Sequence, residues 1–400
     1  MAESVRVEPP HALPVAEFAL WQLGFRPFYL LASAFAAVSV ALWALQMAGW
    51  LTRPYLPGPL WHAHEMLFGY ALAVVVGFLL TAGKNWSGQP TLSGLPLALL
   101  AALWLAGRLL VMTPFAWPSA LVNSAFPLAS AAALAVPFWR ARNRRNYFFL
   151  GLLLLLTLAQ LAVHLSQMQV LALPNWLGIQ IGLDVLLFIM AVMAGRVAAM
   201  FTNSGVPGAT ARRIPQLETA ALGLVLAILA GDLLGPLLPA RQVWMPALLG
   251  VAAAVHLARM SLWQTHKTLR TPLVWILHAS YLWIVIHLSL RALAMVELVP
   301  ASLATHALTV GAVGGLTIGM MTRTARGHTA RPLVADGFEV AAYLSVLIAA
   351  GVRVFLPLLA PSQLINAWLI SALLWSLGFG LYTLRYWPVL SRKRLDGRPG

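Results

Sequence analysis

The chain has 400 residues, no cysteine and a formal net charge of +15, with 60% hydrophobic and only 9% charged residues. Soluble domains carry about 25% charged residues, so this composition excludes a soluble globular protein and points to an all-α, multi-pass membrane protein. The lack of cysteine excludes disulfides, iron–sulfur clusters and thiolate-bound haem or copper, and leaves histidine as the main metal ligand. In a lipid bilayer the basic excess reads as loops held on the cytoplasmic side, not as a nucleic-acid surface.

Residues 1–27 are polar and proline-containing and read as a cytoplasmic N-terminal arm. The first apolar run is too long for a cleaved signal, so an uncleaved span is expected. Hydropathy then predicts about twelve membrane helices in one domain, 28–388. They lie near 28–50, 60–83, 92–112, 118–138, 147–171, 176–200, 216–238, 243–263, 272–297, 301–322, 337–359 and 363–388. A basic tail, 389–400, follows.

Every second loop is basic. Lys84 follows the second span, Arg140, Arg142, Arg144 and Arg145 the fourth, Arg212 and Arg213 the sixth, Lys267 and Arg270 the eighth, and Arg323, Arg326 and Arg331 the tenth. Arg53 and Arg241 are exceptions. The alternation supports the count and predicts both termini in the cytoplasm. Three spans also end alike, with Thr81, Thr202 and Thr322 spaced by about 120 residues. That spacing suggests three units of four helices, the plan of the haem–copper oxidase core subunit, as an analogy of fold alone.

The second span opens Trp61-His62-Ala63-His64-Glu65. Ionisable groups inside a membrane mark function. At 100° per residue, His62 and His64 point to roughly opposite sides, so two centres, one on each side, fit better than one metal held by both. Glu65, Gly69, Ala73 and Gly77 form one small-residue stripe that faces protein, with Glu65 and His62 inside the bundle. His164 and His306 fall at comparable depth near the outer ends of the fifth and tenth spans, and imidazole suits copper and haem iron. Glu65 is the candidate to orient a histidine or carry protons.

His278 and His287 lie on opposite faces of the ninth span, and His278 is taken as the inward one. Arg108, Arg291 and Arg353 fit the carboxylates of a cofactor, or equally partners such as Asp184 and Asp232. Gly311, Gly315 and Gly319 form a second close-packing stripe. Met190, Met193 and Met200 read as packing, and His256 and His266 as hydrogen-bond formers.

Several of these runs resemble the NnrS family. They are Phe25-Arg26-Pro27-Phe28, Trp61 to Gly69, Phe78-Leu79-Leu80-Thr81-Ala82 with Asn85-Trp86-Ser87-Gly88, Gly195-Arg196-Val197, His278 with Tyr281, His306-Ala307-Leu308-Thr309-Val310-Gly311, and Gly327-His328-Thr329. Ala198 and Ala199 stand where the resemblance implies a proline. The resemblance implies haem, expected b-type, and copper in a bacterial inner membrane. It also implies a role in lowering the toxicity of nitric oxide or nitrosyl species. The residue positions add that His62, His64, His164, His278 and His306 are cofactor candidates, with His62, His64, His164 and His306 as the metal ligands. Three functions stay open: a nitric oxide reductase fed by a quinol or redox partner, a binding or sensing protein without turnover, and a secondary transporter.

Overall fold

The computed structural model describes residues 18–51, 54–238 and 240–398. His11, Arg53 and residues 1–17 of the expected N-terminal arm lie outside the described residues. Twelve long helices run α1 Phe25–Met47, α2 Gly58–Ser87, α3 Gly94–Leu110, α4 Ala116–Arg140, α5 Phe148–Gln167, α6 Asn175–Gly205, α7 Pro215–Leu233, α8 Arg241–Ser261, α9 Pro272–Met295, α10 Ala301–His328, α11 Gly337–Leu359 and α12 Leu364–Ser391. Among the described residues eleven helices are long and apolar enough to cross a membrane, and α3, at 17 residues, is the shorter twelfth. At 1.5 Å per residue α3 reaches about 26 Å, close to a bilayer's apolar thickness. The chain is an all-α polytopic membrane protein.

Local chemistry sets the ends. Pro57 and Pro300 occupy the caps before α2 and α10, and Pro215 and Pro272 begin α7 and α9, where a missing N–H costs nothing. Gly88 ends α2 in the left-handed conformation (φ 66°). Asp336 and Glu339 close a capping box on α11. The expected arm is shorter than 1–27, because Phe25, Arg26 and Pro27 already belong to α1 and are buried there. Arg26 donates to the Leu390 and Arg392 carbonyls at 2.9 and 2.7 Å, tying the start of α1 to the end of α12.

Three helices form the middle. The spans of α2, α6 and α10 are 89%, 89% and 72% buried, against 28% for α12. Their threonines Thr81, Thr202 and Thr322 are buried and donate back to the carbonyls of Gly77, Ala198 and Ile318 at 2.7–2.8 Å. Each threonine thus makes the same local bond, one that Thr157, Thr219 and Thr383 also make in other helices. Helix α6 runs unbroken through Ala198 and Ala199, which keep the backbone donors a proline would lack.

Both glycine stripes face neighbouring helices. A Cβ on Gly311 would fall 2.3 Å from Trp283, and one on Gly315 2.0 Å from Ser280, so α9 and α10 touch through bare backbone. A Cβ on Gly77 would meet Phe28 at 2.8 Å, which sets the approach of α1 to α2.

Candidate functional site

Two of the central helices widen at one level. The α-helical turns carrying His62 and His64 give way to a π-helical segment, Glu65–Ala71, and His306 is followed by another, Ala307–Gly314. Such segments are frequent at functional sites, where the extra residue re-aims side chains. The wide turn of α2 also leaves carbonyls open to outside donors. Trp104 Nε1 donates to Gly69 O at 2.9 Å and Arg108 Nη1 to Phe68 O at 3.2 Å, both from α3.

The histidines fall into pairs. His62 and His306 line one cavity of about 440 Å3, within the size range of small-molecule and cofactor sites. Trp43, Trp176, Trp368 and Trp375 supply flat walls, and among the described residues Arg353 is its one charged lining group. The His62 ring stacks on Trp43 at 4.6 Å, and its Nδ1 is buried with no partner among the described residues. His306 Nδ1–H donates to Ser302 O at 2.6 Å, which leaves the Nε2 lone pair. Arg353 Nη2 donates to that lone pair at 3.1 Å while its guanidinium lies 5.0 Å from the Trp368 ring.

The second pair lies on the other side of α2. His64 and His164 are fully buried, with ring centroids 4.9 Å apart. His64 Nδ1–H donates to Glu65 Oε1 at 2.8 Å, and the Gln160 amide donates to His64 Nε2 at 3.2 Å. Tyr55 Oη lies 3.1 Å from both the Nδ1 and the carbonyl oxygen of His164. Its hydroxyl donates to the carbonyl and accepts from Nδ1–H. Burial raises the Tyr55 phenol above its ordinary range, so it keeps that proton. His164 Nε2 is then a lone pair, buried and without a partner among the described residues. Both rings therefore hold a fixed tautomer with the lone pair on Nε2, unpartnered on His164 and shared with the Gln160 amide on His64, the arrangement of metal-binding imidazoles. Among the described residues no three His, Asp or Glu side chains gather as a metal-ready group; the histidines gather in twos.

Glu65 is fully buried and engaged at both oxygens, by His64 and, at 2.8 Å, by Arg108 Nε. Arg108 Nη2 donates to Asn123 Oδ1. Glu65 is thus inside the bundle as expected, but its neighbour there is His64, while His62 turns to the cavity.

Three expected cofactor residues lie elsewhere: Arg108, held by Glu65 and Asn123 and absent from the cavity lining, then Arg291 and His278. Arg291 pairs with Asp184 at 2.8 Å and with Asp232, which Arg241 also contacts. This network joins α6, α7, α8 and α9 and takes no part in lining the cavity. His278 lies outside both histidine pairs and does not line the large cavity: its Nε2–H donates to Thr202 Oγ1 at 2.8 Å, and Nδ1 accepts from Thr265 at 3.0 Å. His287 Nδ1–H donates to Ala304 O at 2.7 Å. His256 bonds Tyr281 at 2.6 Å, the interhelical role expected of it.

Gln160, Tyr55 and the tryptophan walls were not anticipated. Gln160 had a signal, since it lies one turn before His164 in an otherwise apolar run. Tyr55 sits in a loop, where no periodicity reports direction.

A search of curated proteins finds no match. The model of the family described as NnrS protein matches residues 19–394, nearly the whole chain. The chain therefore belongs to the NnrS family.

Proposed function

We propose that this chain holds haem in the large cavity and copper at the buried histidine pair, and acts on nitric oxide as a reductase in defence against nitrosative stress. Membership of the family supports a membrane protein concerned with nitric oxide; the cofactors and the reaction are our reading. The observation that carries it is the division of labour on α2: His62 opens on the cavity with His306, and His64 packs against His164.

The residues fit each group. In the cavity, His62 Nδ1 and His306 Nε2 are the nitrogens for haem iron, and the indole walls suit a flat ring system. Arg353 would leave His306 Nε2 and pair with the acidic groups of the cofactor. At the second site the Nε2 atoms of His64 and His164 would hold copper, which imidazole suits. Together the two metals supply a redox centre for a diatomic ligand.

The protein's own part is positioning. Glu65 and Tyr55 fix the tautomers of His64 and His164, and Arg108 holds Glu65 in place. On this reading electrons come from a quinol or a redox partner, and the alternation of basic loops supports a histidine end at the outer face of a bacterial inner membrane. Transport fits less well. The charges within the helices pair with one another, Arg108 with Glu65 and Arg291 with Asp184 and Asp232, instead of lining a path.

The test is a nitric oxide electrode on purified protein reconstituted with haem and copper and given a quinol analogue. Catalytic consumption is expected, lost in His62→Ala and His64→Ala. Stoichiometric binding without turnover would replace the reductase by a holding protein.

A further inference from the structure

A second, smaller cavity lies directly beneath the first. Its volume is about 50 Å3. It is built from the next turns of the same three central helices: Ala71 of the large cavity is followed by Val74 and Val75 here, Leu186 by Ile189 and Met190, and Val313 by Leu316 and Thr317. The two spaces are therefore one helical turn apart, about 5 Å. Tyr70 lines the upper space and Thr317 the lower, and the Tyr70 hydroxyl donates to Thr317 Oγ1 across the boundary. Thr317 in turn donates to Val313 O at 2.7 Å, so its hydroxyl is satisfied.

The lower space is too apolar for water. A buried water needs two to four polar partners. The lining offers only the Tyr29 and Thr317 hydroxyls, among valines, methionines and alanines. Apolar cavities of this kind stay dry and take up apolar guests such as xenon. On the side away from the histidines, Met193 and Met320 are only partly buried. Their unbranched, flexible side chains can swing aside.

We propose that this space is a binding station for one small uncharged gas molecule, which passes between Tyr70 and Thr317 to the large cavity. The identity of the gas as nitric oxide rests on the function proposed above; the site itself rests on size, lining and continuity along α2, α6 and α10. A water finds fewer polar partners here than the two to four it needs, since Tyr29 offers one hydroxyl unpartnered among the described residues and Thr317 is already bonded, and an anion finds no charged group, so the route favours apolar diatomics.

The test has two arms. In the first, the full chain without cofactors is placed under xenon pressure and read by crystallography or xenon NMR. Xenon is expected in the small cavity of the wild type, reduced in Ala198→Val and lost in Ala198→Leu, with Val75→Leu as a second filling variant should Ala198→Leu not fold. In the second, rapid mixing of the haem-loaded chain compares nitric oxide with azide. The filled variants should bind nitric oxide several-fold more slowly and azide at an unchanged rate. Absence of xenon from the small cavity of the wild type, or equal nitric oxide rates in wild type and filled variants, would overturn the proposal. The xenon arm needs neither haem nor copper, so it stands or fails apart from the proposed function.

Discussion

Glu65 and Arg108 show how much one buried pair holds. Glu65 is 0% and Arg108 6% exposed, and between them they fix His64, the widened turn of α2 and Asn123. Removing one partner of a buried pair costs about 3–5 kcal/mol, because the other charge stays buried and unpaired. Arg108→Leu should therefore unfold at markedly lower denaturant, and Glu65→Leu with Arg108→Leu should recover part of the loss, as a double-mutant cycle would show. Glu65→Gln should weaken copper retention about 10-fold or more, the usual cost of losing an orienting carboxylate, and leave haem in place. His278→Ala should do the opposite of a ligand substitution. It abandons two hydrogen bonds worth about 1 kcal/mol each, and both metals should stay, as absorption and copper analysis would show.

At the scale of elements, glycines with and without neighbours make opposite predictions. Gly315→Ala drives a methyl against Ser280, and overpacking of this kind costs about 1–3 kcal/mol. Gly223 lies within α7 with open space around its absent Cβ, so Gly223→Ala should stabilise by about 0.5–1 kcal/mol. Thermal unfolding in detergent separates the two. The cap of α11 adds a pH dependence. Asp336 accepts from Phe338 N at 2.9 Å and pairs with Arg385, and its carboxyl is held below the ordinary range, with the hydrogen bond to the Glu339 side the largest cause. A depressed folded value means the contribution is present above the unfolded carboxylate value, about 3.9, and is lost as pH falls through the folded one. Asp336→Ala should cost about 1 kcal/mol at neutral pH, with the gap to wild type closing in acid. The two π-helical segments belong to this scale too. No sequence pattern announced them, because hydrophobic periodicity over seven or eight residues does not separate a π turn from an α turn.

For the whole molecule, most of the frame could be read from the chain. Apolar length gave the twelve helices to within a few residues at most ends, since the bilayer fixes how long a span must be. The spacing of Thr81, Thr202 and Thr322 suggested three units of four helices; that the helices carrying them are the buried ones came only from packing. The site was legible only in part. Opposed directions on one helix separated His62 from His64, as simple rotation requires. Partners were harder, since depth along a span says nothing of which helix lies opposite. Arg291 and Arg353 sit at similar ends of neighbouring spans, yet one closes an ion-pair network and the other faces the cavity. Tyr55 and the tryptophan walls come from loops and distant helices that only packing brings together.

The proposed reading has α2 serving two separate metal centres. Haem absorption and copper content of the reconstituted protein in four variants, His62→Ala, His306→Ala, His64→Ala and His164→Ala, separate two centres from one. Loss of haem with copper retained is expected in the first two, and loss of copper with haem retained in the last two, all with wild-type helicity. Equal loss of both metals from every variant would contradict it and place all four histidines in a single centre.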